Sequence, residues 1–418
     1  MWCGITSRLY RLPIRIAVMT YTEAVQWLYD AVPNFQRDGG SKNYKISLEG
    51  PQELWEYLEY PGNSIPTIHI AGTNGKGSST HLLASGMKEM GLRVGVFSSP
   101  HLFDFRERAK IGSEMISEEF VAQWVTQHVN ALEERGNSFF ELTMMLAMSW
   151  FEDQQVDWII LETGMGGRLD ATNICSPEIC LITNIGLDHQ QFLGNNRRTI
   201  AGEKAGIIKA GVPVVVVEKD TETHDAFIDA SSAIGAPLFW ASSYDLPSDL
   251  EGSYQKFNIN GAASVLDLLY AESKSLWSLG FTRVRENTGF FGRWTPICES
   301  PRIVVDTGHN SAAFAFLVKQ ALAECSGRQH WVLGAAADKD FSAVLKLLPK
   351  EASYYWAATS SNRTLSAEGL SEIGSKFELN GTQYDNVNSA LEAAKIAAEE
   401  GDLIIVAGSN FVVADLQL

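Results

Sequence analysis

A glycine-rich stretch, "IHIAGTNGKGSSTHLL" (68–83), has residue types that bind phosphate. It follows an apolar run and opens a segment of helix formers, so its backbone N–H groups and a helix N-terminus would face a bound anion. Lys76 adds a mobile positive charge for the β- and γ-phosphates, and Ser78 or Ser79 adds a hydroxyl for Mg²⁺. The usual pattern is G-x-x-x-x-G-K-[ST], whereas Gly77 separates Lys76 from Ser78 here. The stretch therefore predicts a phosphate-binding loop of unusual spacing.

Polar side chains also stand at the ends of three other predicted strands. Ser99 follows one strand, Glu162 ends a second, and His189 follows a third. Ligands in open α/β sheets bind outside the carboxyl ends of the strands, so these side chains are expected to converge beside the phosphate loop. A carboxylate, a hydroxyl and an imidazole suit Mg²⁺ shared with substrate phosphates, although histidine is an uncommon ligand for so hard a cation. Taken alone, His189 is more typical of a core or surface histidine.

Short β-rich runs alternate with helical patterns, which is typical of a parallel sheet covered by helices on both faces. The predicted strands are 65–70, 92–98, 156–162, 178–185 and 212–217, and the predicted helices are 78–90, 117–135, 138–154, 197–209, 222–234 and 255–272. After "ENTGFFGRWTP" (286–296) the alternation restarts with "RIVVD", "HWVLGA", "YYWAAT" and "LIIVAGS". The expected fold class is α/β, with a P-loop parallel-sheet ATPase domain over 1–290 and a smaller Rossmann-like α/β domain over 291–418.

Composition restricts the partners of the chain. The 418 residues are 45% hydrophobic, enough for two cores, and 33 basic against 50 acidic residues give a net charge of −17, which opposes nucleic-acid binding. No apolar run approaches the roughly 18 to 20 residues of a membrane helix. We expect a cytoplasmic monomer whose partners are small molecules, with neither nucleic acid nor membrane. Residues 1–18 carry three arginines and no acid, so they are either a targeting extension or a start assigned upstream of Met19.

The five cysteines do not form a metal pattern. Only Cys175 and Cys180 lie close in sequence, and the C-x-x-x-x-C that they make has no second pair to complete a zinc site. We interpret all five as reduced core residues.

The phosphate loop is the first of several short motifs that follow one another in order across roughly residues 19–418. They are "GTNGKGS" (72–78), "SSPHL" (98–102), "ETGMGGRLDATN" (162–173), "LDH" (187–189), "EKAGIIK" (203–209), "GR" (292–293) and "DTGHN" (306–310). In type and order they resemble the folylpolyglutamate synthase/dihydrofolate synthase family, a branch of the Mur ligase superfamily. The unusual loop spacing is similar to that of this folate branch.

The resemblance implies an ATP-dependent amide-bond-forming ligase. In that chemistry a dihydropteroate or folate carboxylate attacks the γ-phosphorus of ATP, and the amine of L-glutamate displaces phosphate from the acyl phosphate. The positions that match nucleotide contacts of the family are Thr73, Asn74, Gly75, Lys76, Gly77, Ser78, Asn258, Arg293 and Asp306. Those that match ligands for Mg²⁺, one ion or two, are Ser78, Ser99, Glu162, His189 and Lys204. The resemblance further implies that Lys204 is carbamylated and that Lys76, Glu162, His189 and Lys204 are the catalytic set.

The pterin end of the substrate is matched by two short segments. They comprise Ser138, Phe139, Phe140, Glu141, Leu169, Asp170 and Ala171, and His309 lies near enough in sequence to the joint to line the same cleft. Phe139 and Phe140 are equally typical of a helix core. The sequence departs from the family pattern where "NERI-x-I-N-G" is expected, since it reads "RERAKIGS" (106–113). That departure concerns the pterin side rather than the nucleotide side.

Three alternatives differ in what they predict. A folylpolyglutamate synthase without dihydrofolate synthase activity would extend reduced folates only. A Mur-type ligase of UDP-linked sugars is disfavoured by the "NGKGS" loop and by "GGRLDATN". A nucleotide-driven switch protein would hydrolyse nucleotide without any amino acid, and it has no obvious use for the second domain.

Overall fold

The computed structural model describes residues 18–30, 47–337 and 341–417. Cys3 and the predicted extension at 1–18, apart from Val18, lie outside these ranges. Two β-sheets follow one another along the chain, one of eight strands and one of six. The last helix associated with the first sheet ends at Thr288 and the second sheet begins at Thr295, on either side of the predicted boundary at 290/291.

The first sheet has the strand order β4-β3-β2-β5-β1-β6-β7-β8. Its strands are β1 (Thr67–Ala71), β2 (Val94–Phe97), β3 (Ala109–Ile111), β4 (Glu114–Met115), β5 (Trp158–Glu162), β6 (Ile179–Ile182), β7 (Val214–Val216) and β8 (Leu238–Trp240). The central strands β1, β2, β5, β6 and β7 are parallel. They are almost wholly apolar because helices cover both faces of the sheet.

The helices around this sheet connect the strands. They are α1 (Tyr21–Asp30), α2 (Glu49–Tyr57), α3 (Lys76–Glu89), α4 (Glu118–Arg135), α5 (Phe139–Asp153), α6 (Gln190–Leu193), α7 (Arg197–Ala205), α8 (His224–Ile234), α9 (Gln255–Tyr270), α10 (Lys274–Gly280) and α11 (Val284–Thr288). Successive residues of β5 point to opposite faces of the sheet. Ile159 packs in the core that contains α4 and α5, and Ile160 packs in the core that contains α3 and α9. The sheet is therefore held between two helical layers.

The second sheet has the order β13-β12-β11-β14-β10-β9. Its strands are β9 (Thr295–Glu299), β10 (Arg302–Val305), β11 (Gln329–Leu333), β12 (Ser353–Ala357), β13 (Gly381–Tyr384) and β14 (Leu403–Ala407). The helices are α12 (Ser311–Glu324), α13 (Ser342–Leu345), α14 (Ala367–Ser375), α15 (Val387–Ala397) and α16 (Asn410–Ala414). All pairs in this sheet are parallel except β9 with β10.

The α/β class and every predicted strand and long helix are confirmed, with end shifts of a few residues. The sequence did not reveal β3, β4, β8, β9 and β13. Of these, β3 and β4 contain three and two residues, and β13 is largely exposed at a sheet edge. Strands that short or that polar lack the apolar run on which recognition depends. The first sheet is parallel at its centre, as predicted, but its β2 edge carries the antiparallel hairpin β3–β4. Strand β3 lies in the "RERAKIGS" segment, and β4 follows directly after it.

Cys175 and Cys180 are buried, free thiols, as predicted. Cys298 and Cys325 are also unpaired, but they are only half-buried, so the interpretation of every cysteine as a core residue is wrong for these two. No helix in the described part of the chain is long and apolar enough to cross a bilayer.

Candidate active site

The phosphate loop joins β1 to α3 at the carboxyl edge of the first sheet. Gly75 caps α3 in the left-handed conformation, with φ of +86°. A Cβ at Gly75 would lie 2.2 Å from Asn258 Oδ1, so both the backbone angle and the neighbouring side chain require glycine. Lys76 is the first residue of α3, and its Nζ lies 3.2 Å from the carbonyl oxygen of Gly72. The ammonium therefore folds back over the loop whose N–H groups would hold phosphate.

The loop is held from behind by the segment that follows β6. Asn184 accepts two hydrogen bonds of 2.8 Å from the loop. The Thr73 N–H donates to its carbonyl oxygen, and the Asn74 N–H donates to its Oδ1. The Thr183 hydroxyl donates to the carbonyl oxygen of Asn74 at 2.7 Å. Thr73 Oγ1 exchanges hydrogen bonds with the backbone of Gly186. These contacts fix the loop before any ligand binds.

Two buried ionisable groups, Glu162 and Lys204, lie beside the loop. Glu162 is 4% exposed, and burial raises its pKa to about 7, although Lys76 Nζ lies 3.9 Å from its carboxylate and opposes the rise. Lys204, at the end of α7, is 3% exposed, and its Nζ donates to the carbonyl oxygen of Gly72 at 2.8 Å. Burial and the nearby Lys76 lower the pKa of Lys204 to about 7. Sequence alone makes Lys204 typical of a surface helix, but its amine points inward, to the phosphate loop.

The predicted metal ligands stand around the same opening. The Ser99 N–H donates to the Glu162 carboxylate, and His189 caps α6 with φ of +49°, a strained value for a residue other than glycine. Asp188, which sequence reasoning passed over, lies beside His189 and also lines the cavity. Within the described residues, no three His, Cys, Asp or Glu side chains converge by themselves on a metal position. Glu162 nevertheless fits a hard dication, because it is a buried carboxylate whose pKa stays raised despite the nearby Lys76, so its charge is only partly compensated.

Ser78 and Asn258 belong to one chain of hydrogen bonds. Asn258 Nδ2 donates to Gln255 Oε1 at 2.8 Å, and Gln255 Nε2 donates to Ser78 Oγ at 3.3 Å. Gln255 and Asn258 lie one turn apart on α9, so this helix packs its polar face on the phosphate loop. Gly77 lies beside Glu162, with 3.7 Å between the position of a Cβ and Glu162 Oε2.

Among the polar contacts that join the second domain to the first, three lie at the loop or the cavity. The side-chain amides of Asn74 and Asn310 exchange hydrogen bonds at 3.0 and 3.3 Å. Asp188 Oδ2 lies 3.4 Å from His309 Nε2. These pairs join the carboxyl edge of the first sheet to the start of α12.

The third contact involves Asp306, at the end of β10. Its carboxylate is buried and accepts hydrogen bonds from Tyr254 Oη, from the Trp294 N–H and from the Gly308 N–H. Arg293 donates through Nη1 to the carbonyl oxygen of Gly292 and lies near enough to lower the pKa of Asp306, which burial raises overall. Arg293 and Asp306 both line the cavity. Tyr254 also lines it, and no sequence signal marked that tyrosine.

The predicted pterin segment at the start of α5 also stabilises the fold. Ser138 caps the helix by accepting the Glu141 N–H, and its hydroxyl donates to Glu141 Oε1 at 2.8 Å. Phe139 is buried and stacks on Tyr29 with ring centroids 4.9 Å apart. Phe140 is half-buried, with its ring centroid 5.4 Å from that of Phe97. All four residues of the segment line the cavity, but Phe139 is chiefly a core residue.

The second predicted pterin segment contributes one cavity residue. Asp170 lines the cavity, and its carboxylate accepts hydrogen bonds from the Met165 N–H and from the N–H and hydroxyl of Thr172. These bonds identify Asp170 as a residue that shapes the turn. Leu169 and Ala171, its neighbours, are not among the residues that line the cavity.

A single cavity of about 1230 Å³ connects these features. It runs from the α5 segment past the phosphate loop to the second domain. The predicted residues that line it are Thr73, Asn74, Gly75, Lys76, Gly77, Ser78, Ser99, Ser138, Phe139, Phe140, Glu141, Glu162, Asp170, His189, Lys204, Asn258, Arg293, Asp306 and His309. It is also lined by Arg108, Asp188, Tyr254, Arg363 and Ser409, which sequence reasoning missed. The "DH" of "LDH" was the one available signal for Asp188.

Comparison with known proteins agrees with this architecture. Residues 70–266 match the Mur ligase middle domain, and residues 292–410 match the Mur ligase, glutamate ligase domain. The dihydrofolate synthase/folylpolyglutamate synthase of Escherichia coli (strain K12) is 32% identical over 362 residues, which cover 82% of this chain and 84% of the relative. The protein of the same name from Bacillus subtilis (strain 168) is 31% identical over 415 residues, which cover 89% of this chain and 94% of the relative.

Solved structures lead to the same group. The structure described as E. coli FolC in complex with DHPP and ADP superposes with a TM-score of 0.83 at 28% identity, covering 95% of this chain and 97% of that one. A bifunctional folylpolyglutamate synthase/dihydrofolate synthase with Mn, AMPPNP and L-glutamate bound has a TM-score of 0.81, also at 28% identity, with coverage of 95% and 97%. Two matched domains, identity above 30% across most of the chain and a shared fold lead to one conclusion: the chain belongs to the dihydrofolate synthase/folylpolyglutamate synthase family of Mur ligases.

Proposed function

We propose that the protein is an ATP-dependent ligase that adds L-glutamate to the carboxylate of dihydropteroate and of reduced folates, in the cytoplasm and as a monomer. The observation that carries the proposal is the continuous cavity, because it joins a phosphate loop, an aromatic end and a basic patch on the second domain. An amide ligase of this kind needs three binding sites: the loop for ATP, the aromatic end for the acceptor and the basic patch for the amino acid. A nucleotide switch needs the first alone.

The phosphate loop and Lys76 carry out the first step. The acceptor carboxylate attacks the γ-phosphorus, ADP leaves, and an acyl phosphate forms. This transfer depends on charge neutralisation and in-line positioning more than on covalent chemistry by the protein. The Lys76 ammonium and the N-terminus of α3 stabilise the charge on the phosphoryl oxygens. Asn258, on the helix that packs on the loop, holds the adenine end.

Ser78, Ser99, Glu162 and His189 are proposed to hold one or two Mg²⁺ ions. When bound there, Mg²⁺ would supply positive charge that offsets the charge of the phosphate oxygens. The Glu162 carboxylate supplies the anionic charge for such a site, and the Ser99 N–H keeps that carboxylate in place.

Lys204 is proposed to be carbamylated. Its pKa of about 7 leaves much of the amine neutral at physiological pH, and only a neutral amine adds CO₂. The product, a carbamate, carries a negative charge where the protonated amine carried a positive one. Lys204 and Lys76 would then attract each other instead of repelling each other. The new carboxylate would lie among the proposed metal ligands.

The amino acid and the pterin are assigned to opposite ends of the cavity. Arg363, Ser409 and His309 of the second domain offer cationic and hydrogen-bonding groups for the two carboxylates of L-glutamate. At the other end, Phe140 and the Arg108 guanidinium present flat surfaces for a pterin ring. The glutamate amine attacks the acyl phosphate between these ends, and inorganic phosphate leaves.

The decisive experiment is a mass assay with ATP, Mg²⁺ and L-glutamate in which dihydropteroate and a reduced folate are offered separately. Both acceptors should gain one glutamyl residue, and no product should form without ATP or glutamate. Extension of the folate alone would reduce the assignment to folylpolyglutamate synthase. Nucleotide hydrolysis with no ligated product from either acceptor would overturn the proposal.

A further inference from the structure

One carboxylate organises the loop that follows β2. We call residues 98–104 the strand-end loop. Glu107 accepts the N–H of Leu102 at 2.7 Å, of Phe103 at 2.8 Å and of Asp104 at 2.9 Å. Hydrogen bonds from backbone N–H groups to an ionised acceptor are stronger than neutral ones. A single side chain thus fixes the second half of the strand-end loop.

The first half of the strand-end loop is fixed by the next residue, Arg108. The Ser98 N–H donates to the carbonyl oxygen of Arg108 at 3.1 Å, which closes the base of the loop. Arg108 Nε donates to His101 Nδ1 at 2.8 Å. Both halves are therefore rigid.

The strand-end loop contacts two functional regions. At its start, the Ser99 N–H donates to Glu162. Further along, Leu102 packs against the second domain, where a Cβ on Gly292 would lie 3.1 Å from Leu102 Cδ1. The ring centroids of Phe103 and Phe291 are 5.7 Å apart. The loop is a physical connection between the domain joint and the proposed metal ligands.

We propose that Glu107 is a positioning residue that makes the strand-end loop rigid enough for the docked second domain to hold Ser99 against Glu162. The inference rests on the proposed function for the roles of Ser99 and Glu162. Without the Glu107 carboxylate, three consecutive N–H groups lose their acceptor. The contact of Leu102 with the second domain would then no longer hold Ser99 in place, and the metal ligands would lose their alignment.

The test is Mn²⁺ binding, measured by electron paramagnetic resonance in the presence of a non-hydrolysable ATP analogue. Glu107→Gln should bind Mn²⁺ about 10-fold more weakly than the parent, and Glu107→Asp, which keeps the charge but shortens the reach, should fall between them. Glu118→Gln is the matched control, because Glu118 is an exposed carboxylate that pairs with Arg106, outside the strand-end loop. It should bind Mn²⁺ as the parent does.

A double-mutant cycle with Leu102→Ala separates positioning from a general loss of stability. If Glu107 acts through the docked loop, adding Glu107→Gln to Leu102→Ala should weaken Mn²⁺ binding by less than 2-fold. Fully additive effects, or parental Mn²⁺ affinity in Glu107→Gln, would overturn the inference while leaving the ligase assignment intact. A parent that neither binds Mn²⁺ nor ligates glutamate would instead overturn the proposed function.

Discussion

The hydroxyl of Tyr254 donates to Asp306 Oδ2 at 2.6 Å and so joins the two domains through a buried hydrogen bond. Tyr254 immediately precedes α9, which carries Asn258, and Asp306 immediately follows β10. The nucleotide side of the first domain is thereby tied to the first parallel strand of the second. Domain closure and nucleotide binding are expected to depend on each other.

Tyr254→Phe removes this bond and leaves a buried carboxylate oxygen with one donor fewer, at a cost of about 1–3 kcal/mol. We expect the KM for ATP to rise roughly 10-fold, with a smaller change in kcat. Steady-state kinetics at saturating acceptor and glutamate measure both constants. Tyr244→Phe is the control, because its hydroxyl also contacts a carboxylate, that of Asp267, but within the first domain. Equal effects of the two substitutions would contradict a role for the joint.

Lys76→Ala should lower the ligation rate by roughly 10²-fold or more, the scale of removing one group that stabilises a transition state. The fold should persist, because the polar contacts of the Lys76 ammonium in the described part of the chain are with two loop carbonyls and Glu162. Single-turnover ligation and a thermal melt measure the two properties. Lys88→Ala, on the same helix but directed at the Asn287 carbonyl, should ligate normally. Near-parental ligation by Lys76→Ala would remove it from the catalytic set.

Gly75→Ala and Gly91→Ala form a matched pair of left-handed glycines. Both have positive φ, +86° and +83°, so both substitutions should cost on the order of 1 kcal/mol of stability. A Cβ at Gly91 meets nothing within 4 Å, whereas one at Gly75 collides with Asn258. Only Gly75→Ala should weaken ATP binding, measured by calorimetry. Similar ATP affinities for the two variants would show that the contact between the loop and α9 is unimportant.

Glu162→Gln should change how stability depends on pH. Burial raises the pKa of Glu162 from 4.5 to about 7, so between these values the folded state binds more protons than the unfolded state, and stability falls as pH rises. Glutamine has no such dependence. Without metal and nucleotide, the free energy of unfolding of the variant should therefore exceed that of the parent by ~3 kcal/mol at pH 8. This difference should become smaller towards pH 5. Urea unfolding across this range measures it, and a pH-independent difference would contradict the buried-carboxylate interpretation.

Carbamylation of Lys204 is open to direct detection. After equilibration with isotopically labelled bicarbonate at pH 8, carbon NMR should show a carbamate resonance that disappears in Lys204→Met. The same resonance should persist in Lys209→Met, where the lysine removed contacts the backbone of Asn173. Its absence from the parent at saturating bicarbonate would leave Lys204 as an unmodified amine on the phosphate loop.

The sequence by itself determined the phosphate loop and the strand-end positions of Ser99 and Glu162. Both depend on local order, because loop residues are consecutive and the parallel strands of a sheet end at one edge. The same rule predicted the α/β class, and the order of motifs identified the family. Short or polar strands such as β3 and β13 were missed because they bury too little apolar surface to leave a pattern.

Only the tertiary structure decided which distant side chains meet. In the sequence, Lys204 cannot be distinguished from a surface lysine of a helix. Its amine is buried because α7 packs against the phosphate loop. Tyr254 and Asp306 are 52 residues apart, and their hydrogen bond exists because the second domain folds back over α9. The shifted pKa values of Glu162 and Lys204 likewise come from burial. Burial and long-range contacts belong to the packed chain, and no local pattern of residues encodes them.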